Sequence, residues 1–187
     1  METLRGVSVA ILVDAGFEFV EPVEPRKALQ KAGAKTKIVS RQGPTDRSWN
    51  FTDWGEALSV DIALDAARPQ DFDALLLPGG MMNPDALRIQ PKAVAFVKAF
   101  FAADNPVAVI CHGPWILIET RAVHRRRMTS RPSLKTDLQN AGTHRVDEEV
   151  VVDGNLVSRR QHDDIPTFNR EMLELFSRVP RPTIPSA

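Results

Sequence analysis

The chain holds one cysteine, Cys111, in the stretch AVICHGPWILIE, with His112 and Gly113 directly behind it. A thiolate is a strong nucleophile toward an electrophilic carbon, and an imidazole within reach can take its proton. One cysteine excludes an internal disulfide and a multi-cysteine zinc site, which leaves a buried filler, a surface thiol or a nucleophile. Position favours the nucleophile. An apolar run ends at Cys111 and a second begins after it, the pattern of a strand-to-helix elbow whose helix N-terminus would stabilise a thiolate and depress its pKa. Gly113 lets the backbone turn closely. His112, adjacent in sequence, need not face the thiol, and packing would explain it equally well. Two further groups complete the candidate chemistry. Glu18 and Glu21, in FEFVEP, share a face if a helix has begun there, and a buried protonated carboxyl can donate to sulfur. Gly79 and Gly80, in LLLPGG, can form a turn whose N–H groups hold an oxyanion.

These residues need elements that bring them together. GVSVAILV, DFDALLLPGG and PVAVI are unalternating apolar runs suited to parallel strands covered on both faces, and AKTKIVS reads as another strand. Helical spacing marks EPRKALQKAG, through Ala28, Leu29 and Ala32, and PKAVAFVKAFFAAD, through a stripe of Val94, Val97 and Phe101. GPWILIET follows the cysteine as a third helix. The intervening RQGPTDRSWNFTDWGEALSVDIAL reads as a loop or hairpin carrying two tryptophans. Strands alternating with helices predict an α/β domain, a doubly wound, mostly parallel sheet with helices on both faces. In such a sheet ligands sit outside the carboxyl ends of the strands, where Glu18 and Glu21, Gly79 and Gly80, and Cys111 all fall. Later, PSLKTDLQNAG reads as a short helix, EEVVVDGNLVSRR as a β-hairpin turning at Asp153-Gly154, and DDIPTFNREMLELF as a closing helix.

The composition is that of one globular domain, 1–187, with a loose tail over about 180–187. With 24 basic and 24 acidic residues the net charge is zero, which argues against nucleic acid. No run is long enough to span a membrane and the N-terminus lacks a cleavage signal, so a cytoplasmic location is expected.

The segments FEFVEPVEPRKALQKAG, FDALLLPGG, NPDALR, AVICHGPWILIE, TSRPSLKTDLQNAG and VVVDGNLVSRRQHDDIPTFN together resemble, in order and spacing, the PfpI intracellular-protease family. That family belongs to the superfamily of the parkinsonism-associated deglycase. The resemblance covers almost the whole chain and implies a flavodoxin-like, class I glutamine amidotransferase-like fold. It implies that Cys111 is the nucleophile, His112 its neighbouring imidazole, Glu21 the carboxyl that hydrogen-bonds the thiol, and Glu18 a second acid one turn earlier. Asp85 stands near the place of an acid that, in protease members, reaches across from a neighbouring subunit. Departures are Pro22, a longer loop before Asp85, the arginines at 121, 125–127 and 131, and His162 as the sole late histidine, with no glutamate two residues on. Glutamine hydrolysis is therefore not expected.

The resemblance further implies a cysteine-nucleophile hydrolase acting on peptides, or on small carbonyl compounds such as methylglyoxal and on glycated proteins. Such an enzyme has a stress-protective role, needs no cofactor or metal, and works as a homodimer or higher homo-oligomer. Backbone N–H groups near Gly80 and His112 would serve the oxyanion. The alternative is a non-enzymatic redox sensor or chaperone in which the same cysteine is oxidised to a sulfinate.

Overall fold

The computed structural model describes residues 3–41, 43–50, 52–161 and 165–180. In chain order its first half contains β1 (Ser8–Val13), α1 (Val20–Lys31), β2 (Lys35–Ser40), β3 (Thr45–Asn50), β4 (Asp53–Ser59), β5 (Ile62–Ala63), β6 (Ala74–Leu77) and α2 (Met82–Arg88). There follow α3 (Pro91–Ala102), β7 (Val107–Ile110), α4 (Pro114–Thr120), β8 (Arg127–Met128), α5 (Lys135–Asn140), β9 (His144–Arg145), β10 (Val150–Asp153), β11 (Leu156–Arg159) and α6 (Ile165–Phe176). A seven-stranded sheet runs β10-β11-β7-β6-β1-β2-β5, in which every pairing is parallel except β10 with β11. This is the expected doubly wound α/β sheet.

The central strands are apolar on both faces because both faces are covered. Ala10, Leu12, Leu75, Leu77, Val107 and Val109 pack beneath α3 and α4, through Phe96, Val97, Phe100, Ile116 and Leu117. The alternate residues Val9, Ile11, Val13, Leu76, Ala108 and Ile110 pack beneath α1 and α6, through Leu29, Phe168, Met172, Leu175 and Phe176. Period-two alternation thus sends consecutive residues of one strand into two different cores.

Two expectations shift by a residue, and a third, left open between loop and hairpin, resolves as the hairpin. The buried stripe of α3 is Ala93, Phe96, Val97 and Phe100, with Val94 and Phe101 at its margin, because the sheet lies one position round the helix from the stripe read in sequence. The late hairpin turns at Gly154-Asn155 rather than Asp153-Gly154: Asp153 pairs with Leu156, and Gly154 takes the left-handed φ of +60° that glycine adopts freely. The tryptophan segment is a hairpin of β3 and β4, with Trp49 opposite Trp54 and their rings edge to face at 5.4 Å. Its strand β3 is tied to the β1–α1 loop by the Gly16 N–H on Arg47 O (2.8 Å) and the Trp49 N–H on Phe17 O (2.9 Å). That tie carries Trp49 to the carboxyl edge of the sheet. His162 and the tail from residue 181 lie outside the described residues.

Candidate active site

Cys111 directly follows β7 and holds a left-handed backbone at φ +58°. For a residue with a Cβ that conformation costs about 1–3 kcal/mol and persists only where its surroundings impose it. Here they do. Cys111 N–H donates to Arg159 O (2.9 Å), Arg131 N–H to Cys111 O (3.0 Å), and Gly113 N–H to Ile110 O (2.7 Å). The strained turn aims the side chain off the end of the sheet.

Four strand ends converge on it. Arg159 closes β11 in register with Ile110, Gly79 follows β6, and Glu21 lies in the first turn of α1 beyond β1. Glu21 is fully buried, its Oε2 accepting from Gly79 N–H (2.6 Å) and its Oε1 from Arg159 Nη2 (3.3 Å). Arg159 is equally buried and stacks over Phe168 of α6. Asn83, also buried, donates from Nδ2 to Pro78 O and Gly79 O and accepts Asp14 N–H on Oδ1, locking the PGG turn to the end of β1. Arg159 and Asn83 escaped the sequence reading. The signal for Arg159 was a cationic residue closing an apolar strand; for Asn83 there was none.

The imidazole does face the thiol. Cys111 Sγ lies 3.3 Å from His112 Nδ1, and His112 Nε2 lies 3.1 Å from Ser133 Oγ. Trp115 tilts against the His112 ring at 5.4 Å, donates from Nε1 to Asp137, and carries the Arg88 guanidinium over its own face. Burial pushes the His112 pKa down, with Arg131 adding to that and Glu18 opposing it. A neutral imidazole is therefore the resting form, able to accept the thiol proton on Nδ1 while Nε2–H donates to Ser133.

The expected depressed thiol pKa is reversed. Burial pushes the Cys111 thiol up, the charges of Glu21 and Glu18 push the same way, and Arg131 and Arg159 offset only part. The helix N-terminus brings no compensation, because its donors are already engaged. Gly113 N–H goes to Ile110 O, Pro114 has no N–H, Trp115 N–H goes to His112 O and Ile116 N–H to Gly113 O. The resting centre is a thiol beside a neutral base.

The glycines have separate uses. Gly79 spends its N–H on Glu21 and Gly113 spends its own in the elbow, so neither offers it to an oxyanion; their expected role there is replaced by close packing. A Cβ on Gly79 would meet Glu21 Oε2 at 2.7 Å and Cys111 Cβ at 2.9 Å. Gly80 lines the pocket above the thiol, together with Gly16, Glu18, Trp49, Met81, Met82, His112 and Arg131, around a volume of about 500 Å³. Glu18, half buried, lies close enough that one oxygen each from Glu18 and Glu21 and the Cys111 sulfur fall within 4.8 Å of one another. Asp85 does not join the cluster within the chain. It is exposed on α2 and pairs with Arg88 (2.8 Å), the arginine stacked on Trp115. Among the expected arginines, Arg126 and Arg127 bind the late hairpin and Glu148 away from the thiol, and Arg131 alone of the set lines the pocket.

No helix among the described residues is long and apolar enough to cross a membrane. A protein of Staphylococcus aureus is 43% identical over 168 residues, covering 89% of this chain and 96% of its own length. General stress protein 18 of Bacillus subtilis is 41% identical over 175 residues, covering 92% and 99%. Among solved structures, a two-domain protein of Anabaena variabilis with dj-1/thij/pfpi-like and ferritin-like domains superimposes with a TM-score of 0.83 at 31% identity. That match takes in 89% of this chain and 49% of the other, so the chain spans about half of that protein. Drosophila melanogaster DJ-1beta gives a TM-score of 0.81 at 25% identity, over 91% and 90%. The DJ-1/PfpI family profile matches residues 7–175, nearly the whole of the fold that carries the Cys111 elbow, and the chain belongs to that family.

Proposed function

We propose that the protein is a stress-protective cysteine-dependent enzyme in which Cys111 attacks an electrophilic carbonyl carbon. The observation that carries this reading is the elbow itself: a sulfur at the base of a pocket, on a strained backbone, 3.3 Å from a neutral imidazole nitrogen. His112 Nδ1 takes the thiol proton as the S–C bond forms, and the carbonyl electron pair moves onto oxygen. Gly80 and His112, which line the pocket with Cys111, are the candidates to supply backbone N–H donors to that oxygen. The same step serves a peptide bond, whose amine leaves with the proton from His112, and methylglyoxal, whose first product is a hemithioacetal; a protein adduct of methylglyoxal, attacked at its remaining ketone, gives a hemithioketal.

The apolar pocket and its modest volume favour the small carbonyls. The name of the Bacillus relative, General stress protein 18, supports the stress-related setting. Methylglyoxal consumption and peptidase turnover are to be measured side by side on the wild type and Cys111→Ser. Lactate formation without added glutathione, lost in the variant, supports the carbonyl reading; peptide cleavage without lactate supports the protease. The absence of both overturns the enzyme and leaves the redox-sensor alternative, supported by Arg131 and Arg159, whose charges favour an anion at the sulfur while those of Glu18 and Glu21 oppose it. The working unit in this proposal is a homo-oligomer, with Asp85 acting across its interface. Exposed Met81, Met82 and Ile89 on and beside α2 support it, and a monomer in sedimentation would overturn it.

A further inference from the structure

Arg131 is an exposed residue lining the Cys111 pocket, and its backbone N–H donates to Cys111 O at 3.0 Å. Among the described residues no carboxylate pairs with its side chain, whereas Arg41, Arg88 and Arg160 each hold one. The neighbouring walls are Trp49, Met81 and Met82, apolar surfaces that screen a charge less than water does. Its charge reaches the reactive atoms, since it favours the ionised thiol and opposes protonation of His112. The opposing charge in the pocket is Glu18. An anionic group entering there is drawn to Arg131 and repelled by Glu18, so the pocket has a polarity as well as a shape.

We propose that Arg131 selects, among electrophiles that reach Cys111, those bearing a carboxylate next to the carbon attacked: aldehydic 2-oxo acids, of which glyoxylate is the simplest. This rests on the reading of Cys111 as a nucleophile and names the substrate class of that same site. The Cys111 S–H adds across the aldehyde C=O: the S–C bond forms, the carbonyl π pair moves to oxygen, and that oxygen receives, by way of His112, the proton that left sulfur. The product is a hemithioacetal. Nothing is oxidised or reduced, and the carboxylate stays on Arg131, where a planar guanidinium holds two oxygens at once.

Alkylation with a charged and a neutral reagent tests this without any enzymatic assay. Iodoacetate and iodoacetamide both attack the same thiolate with loss of iodide, so the ratio of their rate constants cancels the thiolate fraction and reads only the preference for a carboxylate. Cys111 is the only thiol, and mass spectrometry follows it directly. In the wild type the iodoacetate to iodoacetamide ratio is expected to exceed that of a neutral reference thiol, N-acetylcysteinamide, by about two- to fivefold, the size of one partly solvated charge pair. High salt should narrow the excess, Arg131→Gln remove it and Arg131→Lys keep part of it. Glyoxylate should also shield Cys111 from iodoacetamide at lower concentration than methylglyoxal does. A wild-type ratio equal to the reference overturns the proposal with no variant needed, as does an excess that survives in Arg131→Gln. If Cys111 reacts normally with iodoacetamide but shows no bias, Arg131 selectivity alone falls; if it reacts with neither reagent, the nucleophile reading falls with it.

Discussion

A sulfur flanked by two carboxyl side chains and an imidazole could rest as a thiolate or as a thiol, and the surroundings of Cys111 decide for the thiol. Every charge that raises it is a named residue, so each can be removed in turn. Glu18→Gln deletes one of those charges without touching the Glu21 to Arg159 pair, and is expected to lower the thiol pKa and speed iodoacetamide labelling near neutral pH. A labelling profile against pH checks this; a slower Glu18→Gln, or a wild-type midpoint below the roughly 8.5 of a free thiol, would contradict it. Glu21 acts differently, because its oxygens accept from Gly79 and Arg159 while both charged side chains are fully buried. In Glu21→Gln an amide N–H₂ must face one of those donors and Arg159 loses its counter-charge. Removing one partner of a buried pair costs about 3–5 kcal/mol. Denaturant unfolding should show that loss in Glu21→Gln and little change in Glu18→Gln.

The elements that bring these residues together are close-packed at their ends, and this is where glycine matters. Gly79 sits where three strand ends meet, and its missing Cβ leaves the space taken by Glu21 Oε2, Cys111 Cβ and Ile110 O. Gly79→Ala forces those atoms apart, at a cost of about 1–3 kcal/mol for overpacking. The same shift moves sulfur away from His112, so slower labelling of Cys111 and a lower unfolding midpoint should appear together. An unchanged labelling rate would mean that the elbow absorbs the methyl elsewhere. The order of elements was legible in the sequence because the strands are buried on both faces and read as unbroken apolar runs, and because Cys111 stands at the end of one. Glu21 could be singled out by its place, yet its partner Arg159 is 138 residues away, and pairing over that span follows from which strands are neighbours rather than from local pattern. Ser133 and Trp49 were missed for the same reason: the hairpin and the segment before α5 carry no periodicity that reveals what they overhang. The stripe of α3 was misplaced by one residue because Val94 and Phe101 are as apolar as the residues that face the sheet.

At the scale of the whole molecule, two internal groups make folding stability depend on pH in opposite directions. His112 has a folded pKa below its ordinary 6.5, chiefly through burial. Below that value the unfolded chain binds the proton more readily than the folded one, so stability is present at neutral pH and declines as pH falls from about 6.5 through the lowered pKa. Asp46, on β3, has a folded pKa above its ordinary 3.8, again chiefly through burial, with the neighbouring Asp14 adding to it and the Ser40 hydroxyl, at 2.7 Å, opposing it. There the folded chain binds the proton more readily, so ionising Asp46 costs stability as pH rises from 3.8 through the raised pKa, and acidifying through that window returns it. Unfolding free energy against pH should therefore slope downward from neutrality into mild acid and flatten as Asp46 takes up its proton. His112→Gln should remove the slope just below pH 6.5 while leaving the acid limb, and Asp46→Asn should steepen the decline at the acid end while leaving the region near neutrality. Urea titrations at half-unit pH intervals on the three proteins check both limbs. A wild-type curve that rises on acidification from 7 to 6 would mean that His112 gains a partner for its charged form on folding. The neutral imidazole required as the base for Cys111 would then not be the resting state.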